Sequence, residues 1–422
     1  MWLFLFAEKE KIMKINTVKG TNDYLPQEVV LRDYLQNKIL EVYKSNGFTR
    51  IMTPTIEDIE NLDKSDGGDN LNLLFKILKR GDKLAAALNG KTQELSDLGL
   101  RYDLTLPLSR YYANNRNTLI SPFKCIQVDK VYRAERPQKG RLREFMQCDI
   151  DIIGSESIAC EIELITVTAK AILNVGLQNF TIKINDRTIL TDLLIGLGFH
   201  SNDIPSVCIT FDKLDKIGVT GVKKELEEKQ FDNSSITAFI TVLSNLPLSL
   251  DYIRTILKQV EKIEQLENII ESVKLLSGNQ YDIVFDLSLV RGQGYYTGTV
   301  FEIVSNAFKG AVAGGGRYDN LIGKFINDKV PAVGFSIGFE RIFSILNDNG
   351  FVQPDSKRKI AILYSDNFIK AFQLRESLQE EYDMALYEKP KKLGKFLDVL
   401  QNEGYYGFIV CDQSTDIKIL KN

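Results

Sequence analysis

The sequence predicts an α+β fold of two or three domains, and three observations carry that reading. Strand-like runs alternating polar and apolar residues cluster at 121–154 and return at 281–338. A charge-rich, mostly helical stretch at 187–278 separates them, and from KIAILYS to YYGFIVC short strands alternate with helices. A chain of 422 residues, 44% of them hydrophobic, can bury a large core, and a charged fraction of 26% fits a globular protein.

The net charge of −3 gives no support for a nucleic-acid partner, so any RNA contact must come from local basic patches. The opening MWLFLFAEKEKIM has an apolar run too short for a signal-peptide core, with no basic residue before it; Met13 is a candidate natural start. No stretch approaches a membrane span. The five cysteines, Cys125, Cys148, Cys160, Cys208 and Cys411, lack CxxC spacing and read as reduced structural thiols of a cytoplasmic protein. His200 is the only histidine and lies in a turn rich in Gly, Ser and Asn, which argues against a His-ligated metal or a catalytic histidine.

In chain order, 26–46 reads as a helix closed by Gly47. FTRIMTPTIE reads as a strand that Pro54 confines to a sheet edge or a sharp bend. The hydrophilic stretch 63–97 contains NGKT, but a P-loop needs glycine where Ala85 stands. SPFKCIQVDKVYRAE and REFMQCDIDIIG then flank RPQKGRL, a basic turn, as a hairpin. In the second run Met146, Cys148, Ile150 and Ile152 share one face; Phe145, Gln147, Asp149 and Asp151 share the other. Arg133 and Glu135 also share a face. The polar face suits a wet cleft; a solvent-facing hairpin surface gives the same pattern. A helix follows with Ser155 as N-cap and Gly176 at its end.

After the helical stretch, YDIVFDLSLV leads into RGQGYYTGTVFEIV, in which Thr297 stands where a dinucleotide fingerprint needs its third glycine. AGGGRYD is a glycine run that suits close backbone approach. In VPAVGFSIGFER, Gly334, Ser336 and Gly338 alternate with Phe335, Ile337 and Phe339, so one strand face is nearly bare before a helix beginning near Glu340. A bare face bordered by Arg341 suits a flat ligand on which a guanidinium can stack; close packing of another backbone is the alternative.

From Lys19 onward the chain resembles the histidyl-tRNA synthetases, a class II aminoacyl-tRNA synthetase family, with the motifs in the family's order. FTRIMTPTIE resembles motif 1, with Pro54 near the dimer interface; VYRAERPQKGRLREF resembles motif 2, and VGFSIGFER motif 3. LRYDLTLPLSRY and LVRGQGYYTGTVFE resemble segments particular to histidyl enzymes. The resemblance implies a class II antiparallel sheet of six or seven strands flanked by helices in a core of 14–186 and 279–350. It also implies a helical insertion at 187–278, an anticodon-binding-like α/β domain at 357–422, and a homodimer. The substrates implied are histidine, ATP with Mg2+, and tRNA(His), with no membrane partner.

The same resemblance assigns roles residue by residue. Arg133 and Arg291 correspond to the catalytic arginines at the α-phosphate and between it and the histidine carboxylate. Arg141 and Arg341 correspond to the terminal-phosphate binders, Glu135 to the partner of the adenine amino group, and Phe145 to the stacking aromatic. Asp103, Thr105 and Gln147 correspond to α-amino binders, and Asp151 and Tyr296, with Tyr295, to the imidazole pocket. No protein metal ligand is assigned. Fixed guanidinium charge is what two approaching anions require, and arginine binds oxyanions bidentately. A carboxylate and a hydroxyl suit the two ring nitrogens of histidine.

Two departures stand out. Gln293 and Gly294 replace the family's frequent Leu-Asp before Tyr295 and Tyr296, and the family's terminal domain continues past DIKILKN into a last helix. Lys389, Lys391, Lys392 and Lys395 suit RNA phosphates or a solvated helix start equally. Two other functions stay open: a histidine-binding regulatory subunit of ATP phosphoribosyltransferase, and a paralogue that charges something other than tRNA. Retention of Arg133, Arg291 and Arg341 favours the ligase.

Overall fold

The computed structural model describes residues 15–63, 72–90, 94–138, 140–257, 260–290, 296–308, 310–351 and 357–420. In chain order its strands are β1 (Thr49–Arg50), β2 (Ile56–Asp58), β3 (Phe75–Leu78), β4 (Ser96–Leu100), β5 (Phe123–Tyr132), β6 (Glu144–Ile153), β7 (Phe180–Asp186) and β8 (Asp282–Phe285). They continue with β9 (Thr299–Ser305), β10 (Ala311–Arg317), β11 (Ala332–Gly338), β12 (Arg358–Tyr364), β13 (Tyr382–Glu388), β14 (Tyr405–Val410) and β15 (Lys418–Ile419). The chain divides into two compact units, one of residues 1–24 and 32–349, the other of 25–31 and 350–422.

The first unit is built on an eight-stranded sheet in the order β1-β5-β6-β11-β10-β9-β7-β8. Its six central strands are antiparallel throughout, whereas β1 and β8 join the edges in parallel. The expected antiparallel sheet is therefore the centre of a wider, mixed one. The two extra strands are two and four residues long, too short for alternation to reveal.

Pro54 divides FTRIMTPTIE: β1 ends before it, and β2 after it enters a separate sheet of order β2-β4-β3. The break has a physical cause, because proline brings no donor to a ladder. Within the hydrophilic stretch 63–97, to which the sequence assigned no elements, lie β3 and the helix Gly81–Leu88. The helix expected from Ser155 begins later, at Ala159: the Ser155 hydroxyl accepts from Ser157 N–H, and the Ser157 hydroxyl accepts from Ala159 N–H. Pro26–Ser45 is helical as expected, with Gly47 left-handed at φ 85°. Six helices fill 187–277 among the described residues, the last ending at Gly278 with φ 55°.

The helices Ala159–Asn174 and Phe339–Asp348 pack on the central strands and bury their apolar faces. The helix Thr105–Asn115 is anchored by Leu106 and Leu108, which join Phe123, Cys125 and Ile153 of the hairpin and Tyr318 and Leu321 in one core cluster. Burial of such side chains contributes about 1.5–3 kcal/mol each, so this helix start is fixed firmly over the sheet. The second unit has the order β13-β12-β14-β15, with the first three strands parallel. It includes helices Phe368–Leu378 and Leu393–Asn402, and Ile360, Ile362, Ala371 and Ile409 pack in its core. Among the described residues no helix is long and apolar enough to cross a membrane.

Candidate active site

Antiparallel register aligns three strands into a floor. Gln147, Asp149 and Asp151 of β6 lie opposite Gly338, Ser336 and Gly334 of β11, and Gly334 and Ser336 lie opposite Gly316 and Gly314 of β10. The face expected to line a cleft is the one that does. A cleft of about 390 Å3 is bordered by Arg133, Glu135, Arg141, Phe145, Gln147, Tyr296 and Arg341, all singled out in the sequence. A recess of about 30 Å3 shares Tyr296, Gly314 and Ser336 with it and adds Thr105, Asp149, Asp151 and Tyr318.

The glycines of the floor serve close approach. A Cβ on Gly334 would lie 2.0 Å from Asp151 Oδ1, and one on Gly316 would lie 2.9 Å from the Tyr296 ring. The space above Gly334 thus belongs to a carboxylate and that above Gly316 to Thr299 O and the Tyr296 ring, while Gly338 borders the main cleft.

The cationic side of the cleft comes from both motif-like segments. Arg133 donates Nε–H to Tyr102 O at 3.0 Å, with its guanidinium carbon 5.1 Å from the Phe145 ring centre. The 138–141 turn is closed by reciprocal backbone bonds between Gln138 and Arg141, with Gly140 at φ 77°. Arg141, more than half exposed, lies 3.6 Å from the Glu135 carboxylate. Arg341 donates to Ala311 O and lies 5.7 Å from the Phe308 ring centre.

The opposite side is acidic and buried. Asp103, Asp149 and Asp151 are 8%, 5% and 3% exposed. Asp103 lines neither cavity; its Oδ1 accepts the N–H groups of Thr105 and Leu106 at 3.1 Å, which fixes the helix start that carries Thr105. Asp151 Oδ1 accepts the Tyr318 hydroxyl at 2.6 Å, and Gln147 donates to the Ser336 hydroxyl at 3.1 Å. Gln147 Oε1, Asp149 Oδ1 and Asp151 Oδ2 have no hydrogen-bond partner among the described residues. Burial raises all three carboxyls: Asp103 moderately, Asp151 to about 7 and Asp149 well above its usual range, with repulsion from Asp151 adding to the last. Such a set of acceptors demands a ligand rich in N–H groups and positive charge.

Arg291 and Tyr295 lie outside the described residues. Sequence reasoning missed four supporting groups. Gln127, opposite Asp149, donates to Leu104 O at 2.9 Å and so holds the loop that precedes Thr105. Tyr318 donates to Asp151, and Ser336 accepts from Gln147 and bonds the Asp149 carboxyl. Glu340 accepts both terminal nitrogens of Arg32 at 2.6 and 2.8 Å and the N–H of Met146 at 3.1 Å, tying motif-3-like to motif-2-like segments. Of the four only Ser336 had a signal, its parity with Gly334 and Gly338 on the bare strand face. Among the described residues no group of three or more Asp, Glu, His or Cys could hold a metal.

Comparison with known proteins places this geometry in a family. The family model for histidyl-tRNA synthetase matches residues 20–342. A curated histidine–tRNA ligase of Leifsonia xyli is 39% identical, covering 95% of this chain and 96% of its own length. One from Cytophaga hutchinsonii is 36% identical, covering 90% and 88%. The crystal structure of histidyl-tRNA synthetase from Nostoc superposes with a TM-score of 0.76 at 27% identity, covering 94% of this chain and 91% of that one. A Bacillus halodurans structure titled ATP phosphoribosyltransferase regulatory subunit/histidyl-tRNA synthetase shares the fold, at a TM-score of 0.78 and 22% identity over 95% and 99% of the two chains. The family model covers most of the chain and the relatives match it over nearly their whole length, so the chain belongs to the histidyl-tRNA synthetase family.

Proposed function

We propose that the protein is a histidine–tRNA ligase: it activates histidine with ATP, forming histidyl-adenylate and pyrophosphate, and transfers histidine to the 3′ end of tRNA(His). The observation that carries this reading is one cleft with guanidinium groups on one side and unpartnered buried acceptors in an adjoining recess. In this reading Arg133, with Arg291, holds the α-phosphate and the attacking carboxylate against their mutual repulsion. Arg141 and Arg341 take the terminal phosphates. Phe145 stacks on adenine, and Glu135 exchanges its Arg141 contact for the adenine amino group.

Gln147, Thr105 and the Asp103 loop receive the ammonium group, while Asp151 and Tyr296, with Tyr295, receive the ring. A pocket that leaves buried acceptors unpaired discriminates against phenylalanine or leucine, by up to roughly 10⁴-fold. No protein base is needed for activation, because the carboxylate nucleophile is ionised at neutral pH.

Glu340 is engaged by Arg32, and Glu135 lies beside Arg141. Mg2+ in this scheme enters with the nucleotide, held by its phosphates. A cytoplasmic homodimer with a catalytic core, the 187–278 insertion and an anticodon-binding-like second unit completes the proposal. The regulatory-subunit reading has less support, because the single carboxylate of histidine is all the anionic charge it brings to a cleft lined by Arg133, Arg141 and Arg341. Charging of tRNA(His) with labelled histidine tests the ligase: incorporation is expected, and histidine binding without activation or charging would favour the regulatory subunit.

A further inference from the structure

Asp149 is the buried group in the recess that the proposed reaction leaves unused. It is 5% exposed, its Oδ1 is unpartnered among the described residues, and it stands two residues before Asp151 on the same strand face. Both line the recess with Thr105, Tyr296 and Tyr318. Retaining a second carboxyl here is costly, because an unpaired buried carboxylate is destabilising and an amide of the same shape would be cheaper. The Gly314 and Gly334 floor adds no donor side chain; Ser336, across the ladder, accepts from Gln147 and bonds the Asp149 carboxyl, and Asp149 Oδ1 is left over. Charged and titratable groups around the pair are Asp103 from the loop before Thr105, Arg133, Tyr318, and, from other elements, Cys125 and Tyr43.

We infer that Asp149 is a further specificity-determining residue, which with Asp151 forms a two-carboxyl cradle that binds the ring of the amino acid as an imidazolium cation. The inference rests on the histidine-activating reading of this site. The proton balance closes within the recess. Burial raises both carboxyls, and the Asp151 charge raises Asp149 further, so in this inference the empty pair shares a proton. A neutral imidazole entering takes that proton: an O–H bond breaks, a ring N–H bond forms, and a carboxylate pair is left facing a cation. A ring that resists protonation cannot make this exchange and leaves the pair either protonated or unneutralised.

The test compares wild type with Asp149→Asn in ATP–pyrophosphate exchange, using histidine and the analogue whose ring is a triazole, which stays neutral at working pH. The variant is expected to raise KM for histidine roughly 10- to 100-fold, the loss of a charged hydrogen bond, with a much smaller change in KM for the analogue. KM for ATP should stay within about twofold and the melting temperature should not fall. Ring-labelled histidine bound to wild type at pH 8 should show both nitrogens protonated by 15N NMR, and only one protonated in the variant. Equal losses for histidine and analogue, no loss, or a neutral ring in wild type would overturn the inference. Absence of exchange by wild type with histidine would instead refute the proposed function on which it rests.

Discussion

Replacing Gly334 by alanine tests the construction of the recess with one methyl group. The new Cβ would sit 2.0 Å from Asp151 Oδ1, 3.0 Å from its Cγ and 3.2 Å from Tyr318 Cε1. Ordinary contact begins at 3.4 Å, so the carboxylate must retreat by about 1.4 Å or the strand must shift. The strand is held on both sides, by β6 and β10, so the side chain is the softer element. Its retreat breaks the 2.6 Å bond to Tyr318. Overpacking costs about 1–3 kcal/mol, and a displacement of about 1 Å in a binding group can cost roughly 10²-fold in efficiency. In ATP–pyrophosphate exchange, Gly334→Ala should therefore lose about 100-fold in kcat/KM for histidine, with KM for ATP changed by less than about threefold. Wild-type histidine kinetics would refute the placement of Asp151 as the ring acceptor. An equal loss for ATP would point to collapse of the whole floor.

Other expectations follow from the same contacts. Arg32→Ala removes the bidentate partner of the largely buried Glu340 carboxylate and should cost about 3–5 kcal/mol, read by chemical denaturation. Arg133→Ala should lower the activation rate by roughly 10²- to 10⁴-fold while leaving the melting temperature within a few degrees, checked by exchange and calorimetry. Because Asp151 is raised to about 7 in the folded chain, the folded state binds its proton more tightly than the unfolded one. Its contribution to stability accordingly falls as pH rises from about 4 to about 7, by about 2–4 kcal/mol. Asp151→Asn should flatten that decline in a pH series of denaturation curves; an unchanged slope would contradict the assignment.

The parts of this molecule that were legible in the sequence are those where a single strand carries its own pattern. Period-two alternation put Gln147 and Asp151 on one face of 144–153 and left one face of 332–338 nearly bare; the pairing of the two strands then set Gln147 and Asp151 opposite Gly338 and Gly334. Family resemblance added Glu135, Arg141 and Arg341, and these border one cleft. What stayed hidden depends on pairing across the chain. Tyr318 meets Asp151 from 167 positions away, and Arg32 meets Glu340 from 308 positions away, separations at which local periodicity carries no information. Of the small β2-β4-β3 sheet only the start of β2 lay in a run read as strand; β3 and β4, four and five residues long, are too short for alternation to stand out. Beside its proposed ammonium role, Asp103 holds the helix start beneath Thr105, which is visible only once its bonds to Thr105 and Leu106 are seen.

The most direct test of the central claim is ATP–pyrophosphate exchange with each of the twenty amino acids presented separately. Exchange with histidine alone, abolished in Arg133→Ala, is the predicted result. Exchange with another amino acid, or measurable histidine binding with no exchange at all, would contradict the account.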